Sequence, residues 1–382
     1  MTAVQPARSQ EARAENAPEF RAVLDRIAAS TEVIDREREI PPDIIDDMAA
    51  QGWFRLLVPR SAGGGEADFL DYLRMSRAVA EADGSTAWCF NQNNILGTMA
   101  SLMPAPLAKE IWSDPRAILC NGPPQHTTIE PVDGGYSLTG RWNFSSGSRH
   151  ATWAVCAGRI GRGDVHTLLV PKEEVDFIDI WQVNGLRGTG SFSFETKELF
   201  VPESRSFIET KTPREDGPLY LIPRSLFFGA GFGMVALGVA RSALDAAIEV
   251  AVRKTPQEQA LLRDQQSVQR EVGRAEAAWG AAHAFLMEKA SQLWCSAVEL
   301  HEAPLRERIE LRLAATHAIR QSAEVADMAY GVFGATAIFE WSPVQRKFQD
   351  AHAITQQIQG RLDHYDTAGQ FILGLEPQGR FF

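Results

Sequence analysis

The run Gly140-Arg141-Trp142-Asn143-Phe144-Ser145-Ser146-Gly147-Ser148-Arg149-His150-Ala151-Thr152-Trp153 joins two tryptophans, two adjacent hydroxyls, a glycine and a histidine between stretches of strand character. Such a run offers an indole face on which a flat ring packs, and hydroxyl and backbone donors for that ring's polar edge. A flavin is a guest of that kind. The same residues also read as a β-turn with two tryptophans in a core, because paired hydroxyls in a turn often bond their own backbone.

The elements around this run set its context. Positions 18–117 read as helices: Ile40, Ile44, Ile45 and Met48 share one face after Pro41-Pro42, prolines suited to a first turn. Gly63-Gly64-Gly65 breaks the chain, and a second helix turns Phe69, Tyr72, Leu73, Ser76, Val79 and Ala80 inward to end near Asp83-Gly84. A third is expected from Ser85 as N-cap through Trp88 into Asn91-Gln92-Asn93-Asn94. Across 118–212 the period changes to short alternating runs, with a turn at Asp133-Gly134-Gly135 and strands expected at 152–155, 167–170 and 192–194. Beyond a linker near 212–218, long helices return at 225–253, 258–300, 304–331 and 343–373 within a block spanning 213–382. The fold class is therefore mainly α with a central β-domain, unlike the alternation of a doubly wound sheet. The polar lead, 1–17, reads as disordered.

Composition narrows the function classes. In 382 residues, 45% hydrophobic and 23% charged, the net charge of −11 argues against a nucleic-acid surface. The longest apolar stretch, 226–240, is too short to span a bilayer. Cys89, Cys120, Cys156 and Cys295 lie far apart without a CxxC pair, so neither a disulfide framework nor a structural metal site is expected, and a reducing, cytoplasmic setting is.

The block order and several local motifs resemble the acyl-CoA dehydrogenase fold: an N-terminal helical domain, a middle β-barrel-like domain and a C-terminal four-helix bundle. The matching stretches are Ala82-Asp83-Gly84-Ser85-Thr86-Ala87-Trp88, the Trp142 to Trp153 run, Gly185-Leu186-Arg187-Gly188-Thr189-Gly190-Ser191, Phe200-Val201-Pro202-Glu203, and the segment from Arg346 to Asp350. The closer resemblance is to its two-component flavin-dependent monooxygenases, the group that hydroxylates phenols and other aromatics or oxidises sulfur or nitrogen.

A carboxylate separates the two branches. A dehydrogenase needs a base for the proton alpha to its thioester. The resemblance puts that glutamate at one of two places, which here read Gln356-Gln357-Ile358-Gln359-Gly360 and Pro223-Arg224. An amide cannot take that proton. An oxygenase instead lets reduced flavin and O2 form a C4a-hydroperoxide, and it must exclude water and donate hydrogen bonds near N5 and C4a. The resemblance implies Ser145 at the flavin edge, Ser146 toward the substrate, Trp142 against the ring, Gly147 in close backbone approach, and Trp88, Arg187 and Arg346 around the cofactor.

Two departures bear on chemistry. The branch's phenol hydroxylases carry a histidine after the Ser-Thr-Ala-Trp run, where this chain has only amides, Asn94 among them. They carry another two turns past the C-terminal aspartate, where Gln357 stands, with His352 as a substitute half a turn past Asp350. An amide-lined pocket binding a carbonyl or heteroatom is one reading, solvated amides at a helix end the other. Arg346 and Asp350, one turn apart, read as a charge contact that shapes the flavin site or the subunit interface, or as a surface pair. Arg187 reads as a contact to a phosphate or, the favoured reading, as a brace for its glycine turn, and His126 lies on the loop that covers the flavin in this fold. Gly229-Ala230-Gly231-Phe232-Gly233 lacks a preceding strand and the Lys-Ser/Thr of a phosphate loop, so it reads as close helix packing.

The family's FAD clamp, Arg-x-x-Phe-Gly, reads Arg253-Lys254-Thr255-Pro256-Gln257 here, so reduced FMN is expected beside FAD. Without a dinucleotide fingerprint, a separate NAD(P)H-dependent reductase is implied, and the bundle implies a homotetramer. A dehydrogenase with a relocated base, or a flavin-free assembly subunit, are the rival readings.

Overall fold

The computed structural model describes residues 17–161, 163–209, 212–379 and 382. All of the expected disordered lead except Ala17 therefore lies outside the described residues.

The N-terminal helices are α1 (Pro18–Ala29), α2 (Thr31–Glu37), α3 (Pro42–Ala50), α4 (Phe69–Ala82), α5 (Gly84–Gly97) and α6 (Ala105–Trp112). Ile44, Ile45 and Met48 of α3 and the inward face of α4 are buried as their spacing predicts. The start of α5 differs from expectation. Asp83, not Ser85, is the cap, its carboxylate accepting from Thr86 N at 2.7 Å and Thr86 Oγ1 at 2.8 Å. Aspartate satisfies the free amides of a first turn as well as serine does, and it interacts favourably with the helix dipole.

The middle domain holds β1 (Leu119–Asn121), β2 (Pro124–Val132), β3 (Gly135–Ser145), β4 (Trp153–Arg159), β5 (Val165–Pro171), β6 (Asp176–Ile178), β7 (Phe192–Pro202) and β8 (Ser206–Ile208). They form two sheets, ordered β1-β4-β5-β8 and β2-β3-β7-β6. The β2–β3 hairpin turns at Asp133-Gly134, where Gly134 has a φ of 76°. Between the sheets lies one apolar core that includes Cys120, Ile129, Leu138, Trp142, Leu168 and Phe194.

The C-terminal block contains α7 (Arg224–Arg253), α8 (Gln266–Glu299), α9 (Leu305–Phe333), α10 (Pro343–Thr355) and α11 (Asp363–Ile372). Two expectations change. The helix expected from 258 begins at Gln266. The single helix expected over 343–373 breaks into α10, a short 3-10 turn (Ile358–Gly360) and α11. Gln357 caps that turn by accepting from Gln359 N at 2.7 Å, a local bond that competes with continuing the helix. The glycine run on α7 does pack closely. A Cβ on Gly231 would sit 1.9 Å from Asn91 Oδ1, and one on Gly229 would sit 2.5 Å from Arg312 Nη1.

Candidate active site

Helix α5 is buried along nearly its whole length, so its polar side chains must find partners inside the protein. Trp88, on its second turn, stacks on Phe232 of α7 with ring centres 4.0 Å apart. Its indole N–H donates to Ser146 Oγ at 2.9 Å, tying the helical domain to the end of β3. One turn on, Gln92 donates to Asn121 Oδ1 of β1 at 2.5 Å. The groups brought together at this junction are neutral: an indole N–H, hydroxyls and two amides.

The turn after β3 is made by a bulge. Trp142 pairs with Phe194 and Ser145 with Phe192, so three steps on β3 oppose two on β7. The extra residue puts Phe144 at a φ of 58° and leaves its side chain 59% exposed, edge-on to Trp181 at 6.2 Å. Ser145 points inward, and its buried hydroxyl has no hydrogen-bond partner. Opposite it lies Gly122, where a Cβ would sit 1.9 Å from Asn143 O and 2.9 Å from Ser145 Oγ. Gly147, at a φ of 81°, closes the turn and donates its N–H to Thr189 O at 2.8 Å. His150 packs beside it against Phe54, and burial lowers its imidazole to about 3, so the ring is neutral.

A second loop completes the junction. Ser146 Oγ lies 2.8 Å from Ser191 Oγ, which lies 2.7 Å from Thr189 Oγ1, which donates to Leu186 O at 2.8 Å. Leu186 N donates to Asp350 Oδ1 of α10 at 2.5 Å. Asp350 and Asp83 line one small cavity of about 10 Å³ together with Arg346 and Lys347, room for about one water. Burial pushes the Asp350 carboxyl up to about 7 against the opposing pull of the Leu186 N–H, and burial raises Asp83 too.

Several anticipated residues stand elsewhere. Trp142 does not offer an open indole face: its ring is buried in the β-core, 5.1 Å from Phe194, and its N–H donates to Ala157 O at 3.0 Å. Asn94 neither lines a pocket nor meets solvent. Its amide N–H groups donate to Trp53 O and Phe90 O, and its oxygen accepts from Leu56 N at 3.0 Å, stapling the 53–56 turn to α5. Asn93 does the same for Phe54 O and Leu119 N. His352 faces Asp327 of α9 at 2.8 Å on a part-exposed surface, because its position on α10 turns it away from the Ser146 junction. Gln357 is engaged as the cap described above. Arg187 braces its loop by donating to Asp35 O and Val183 O. Arg346 donates to Thr31 O and lines the same cavity as Asp350, so the pair meets at an interior junction rather than on open surface. His126 lies on β2 with its side chain exposed. Ser145, Ser146, Gly147 and Trp88 are the anticipated residues that the structure brings together.

Residues 9–106 match the N-terminal domain of acyl-CoA dehydrogenases, and residues 230–360 match their C-terminal domain. An indole-3-acetate monooxygenase of Pseudomonas putida is 32% identical over 94% of this chain and 94% of its own length. The chain belongs to the flavin-dependent monooxygenases of the acyl-CoA dehydrogenase superfamily. The oxygenase component of an FADH2-dependent resorcinol hydroxylase from Rhizobium is 26% identical over 94% of each chain. Among solved structures, the 3-HSA hydroxylase of Rhodococcus superposes with a TM-score of 0.87 at 26% identity, covering 94% of this chain and 97% of its own.

Monooxygenases of this kind act through a reduced flavin, and the junction passes a simple test of fit for one. A buried hydroxyl without a protein partner is costly unless a ligand engages it, and Ser145 has one. The exposed aromatic face beside it is Phe144, not Trp142. Phe144, Thr189 and Ser191 were missed from sequence. Alternation from Leu138 through Trp142 would place Phe144 inside, and no residue type marks the bulge that turns it out.

Proposed function

We propose that this chain is the oxygenase component of a two-component system. It takes reduced flavin from a separate NAD(P)H-dependent reductase and transfers one atom of O2 to a small aromatic or heteroatom substrate. The observation that carries the reading is the Ser145–Ser146 turn, closed against Trp88, with one hydroxyl buried and partnerless.

When bound, the flavin supplies the activated oxygen. The chain's own residues position and shield it. Ser145 supplies a donor, Phe144 an aromatic face, and the packing of Trp88 on Phe232 excludes water at the helical side. Phe228, stacked 6.0 Å from Phe232, extends that aromatic wall, which suits a flat substrate of indole or phenol size. The neutral Gln92–Asn121 pair suits hydrogen bonding to a carbonyl or ring N–H rather than proton abstraction. The absence of Phe-Gly after Arg253 supports a site that accepts FMN as well as FAD. Exposed Ile338, Phe339, Trp341, Ile372 and Leu373 on the C-terminal block support assembly of a homotetramer through it. Among the described residues no helix is long and apolar enough to cross a membrane. The four unpaired cysteines support a cytoplasmic setting. The sequence divisions 18–117, 118–212 and 213–382 serve as the proposed domain limits.

The test mixes the anaerobic protein and reduced FMN or FAD with oxygenated buffer and follows flavin absorbance. Reoxidation markedly slower than that of free reduced flavin supports the reading. Reoxidation at the free rate, together with bleaching of the oxidised protein–flavin complex by an acyl-CoA, would replace it with a dehydrogenase.

A further inference from the structure

We propose that Gln92 and Asn121 are specificity-determining residues that select, among flat aromatic substrates, those carrying a lactam or carboxamide edge over those carrying a carboxylate. The inference rests on the oxygenase reading above and adds to it the class of substrate.

The pair marks an opening. Every residue of α5 from Gly84 to Gly97 is buried except Gln92. Asn121, at the end of β1, is only half-buried, between the buried Cys120 and Gly122. Gln92 stands one helical turn past Trp88 and shares its face, and Trp88 is stacked on Phe232. On the β side Gly122 abuts Ser145, since a Cβ there would lie 2.9 Å from Ser145 Oγ. The two amides therefore lie between the aromatic wall and the partnerless hydroxyl.

What the pair offers follows from its own bond. Gln92 Nε2 donates to Asn121 Oδ1 at 2.5 Å. Among the described residues no hydrogen bond reaches Gln92 Oε1 or Asn121 Nδ2, and neither atom is enclosed. One acceptor and one donor are thus presented to the opening. Turning both amides end for end exchanges the two and keeps one of each. Turning only one would set oxygen against oxygen, or N–H against N–H, across the same 2.5 Å.

A ring lactam or a primary carboxamide carries the complement: a carbonyl that accepts from Asn121 Nδ2 and an N–H that donates to Gln92 Oε1. A carboxylate brings acceptors only. One of its oxygens meets Gln92 Oε1 lone pair to lone pair, and it leaves water for a pair that carries no charge. The flavin ring has an imide edge of the same pattern, and the experiment separates the two ligands.

That experiment is anaerobic equilibrium dialysis of the full chain, first against dithionite-reduced FMN and FAD. The FMN-loaded protein is then dialysed against 2-quinolone, N-methyl-2-quinolone, which lacks the N–H, and 2-naphthoate. The readout is Kd, which is independent of turnover. The parent should bind 2-quinolone about tenfold tighter than either of the others, the factor expected for one hydrogen-bond mismatch. Gln92→Leu should bring 2-quinolone and its N-methyl form to within about twofold of each other and leave the Kd for reduced FMN unchanged. Gln92→Met serves if Gln92→Leu fails to fold. Equal affinity of the FMN-loaded parent for 2-quinolone and its N-methyl form overturns this inference alone. So does a Gln92 variant that weakens reduced-FMN binding and keeps the probe ratio, because the pair then holds the flavin. A parent that binds neither reduced FMN nor reduced FAD overturns the flavin reading and this inference together.

Discussion

The Trp88 indole and the Ser146 hydroxyl, 58 positions apart in the chain, meet at 2.9 Å and join the helical domain to the β-domain at the turn that carries the candidate chemistry. Trp88→Phe keeps the stack on Phe232 and removes this bond alone. A neutral hydrogen bond contributes about 1 kcal/mol net. Thermal or denaturant unfolding should therefore show a loss of roughly that size, and more hydrogen peroxide should be released per reduced flavin consumed. Unchanged peroxide release would mean that the bond serves the fold only.

Ser145→Ala separates folding from function in the opposite sense. Its hydroxyl is buried without a partner, so its removal costs the apoprotein nothing and can relieve a desolvation penalty of about 1–2 kcal/mol. The same variant should reoxidise reduced flavin faster and couple less of it to substrate. Stopped-flow absorbance beside a melting curve checks both halves. A destabilised apoprotein would show that Ser145 has a protein partner after all.

Phe144 holds a left-handed backbone that a bulky side chain adopts only at a cost. Phe144→Gly should relieve about 1 kcal/mol of that strain while removing the exposed aromatic face. The expected outcome is an apoprotein at least as stable as the parent, with weaker binding of reduced FMN in dialysis. Equal binding would remove Phe144 from the cofactor site.

Asn94→Ala should behave as a core lesion. Its three bonds to the 53–56 turn and to Phe90 would be lost, leaving main-chain groups of that turn unpaired, at a cost of about 2–4 kcal/mol. Urea unfolding measures the loss. Where the variant folds, flavin affinity should match the parent, and a selective loss of substrate turnover would return Asn94 to the pocket.

Asp350 gives the fold a pH dependence with a definite sign. Burial raises its carboxyl to about 7, above the value of about 3.9 for an unfolded aspartate. Between the two the unfolded chain has released a proton that the folded chain keeps, so this group's contribution is full below about pH 4 and declines until about pH 7. Asp350→Asn still offers an oxygen to Leu186 N but does not titrate. Its melting temperature should fall less than the parent's between those limits. Parallel pH profiles would show that Asp350 ionises freely in the folded state.

How much was legible in the sequence follows from the range of the forces involved. Periodicity and turn chemistry act over a few residues, so the helix–strand–helix order, the inward face of α4, the Asp133-Gly134 hairpin and the close-packing glycines of α7 could all be read from the chain. Residue order likewise marked the 142–153 run, the absent base at 356–360 and the family to which these belong. Tertiary structure decided which side chains face the site. A single extra residue in β3 reverses the alternation after Trp142, so Phe144 is exposed where the pattern that buries Trp142 would have turned it inward, and a bulge depends on the partner strand rather than on local residue type. The Asn93 and Asn94 amides became interior staples because that side of α5 is covered by the 53–56 turn and β1, neighbours distant in sequence. The Ser146–Ser191–Thr189 chain needs two loops brought within hydrogen-bonding distance. Hydrogen-bond direction is a property of such a closed network, and no single residue carries it.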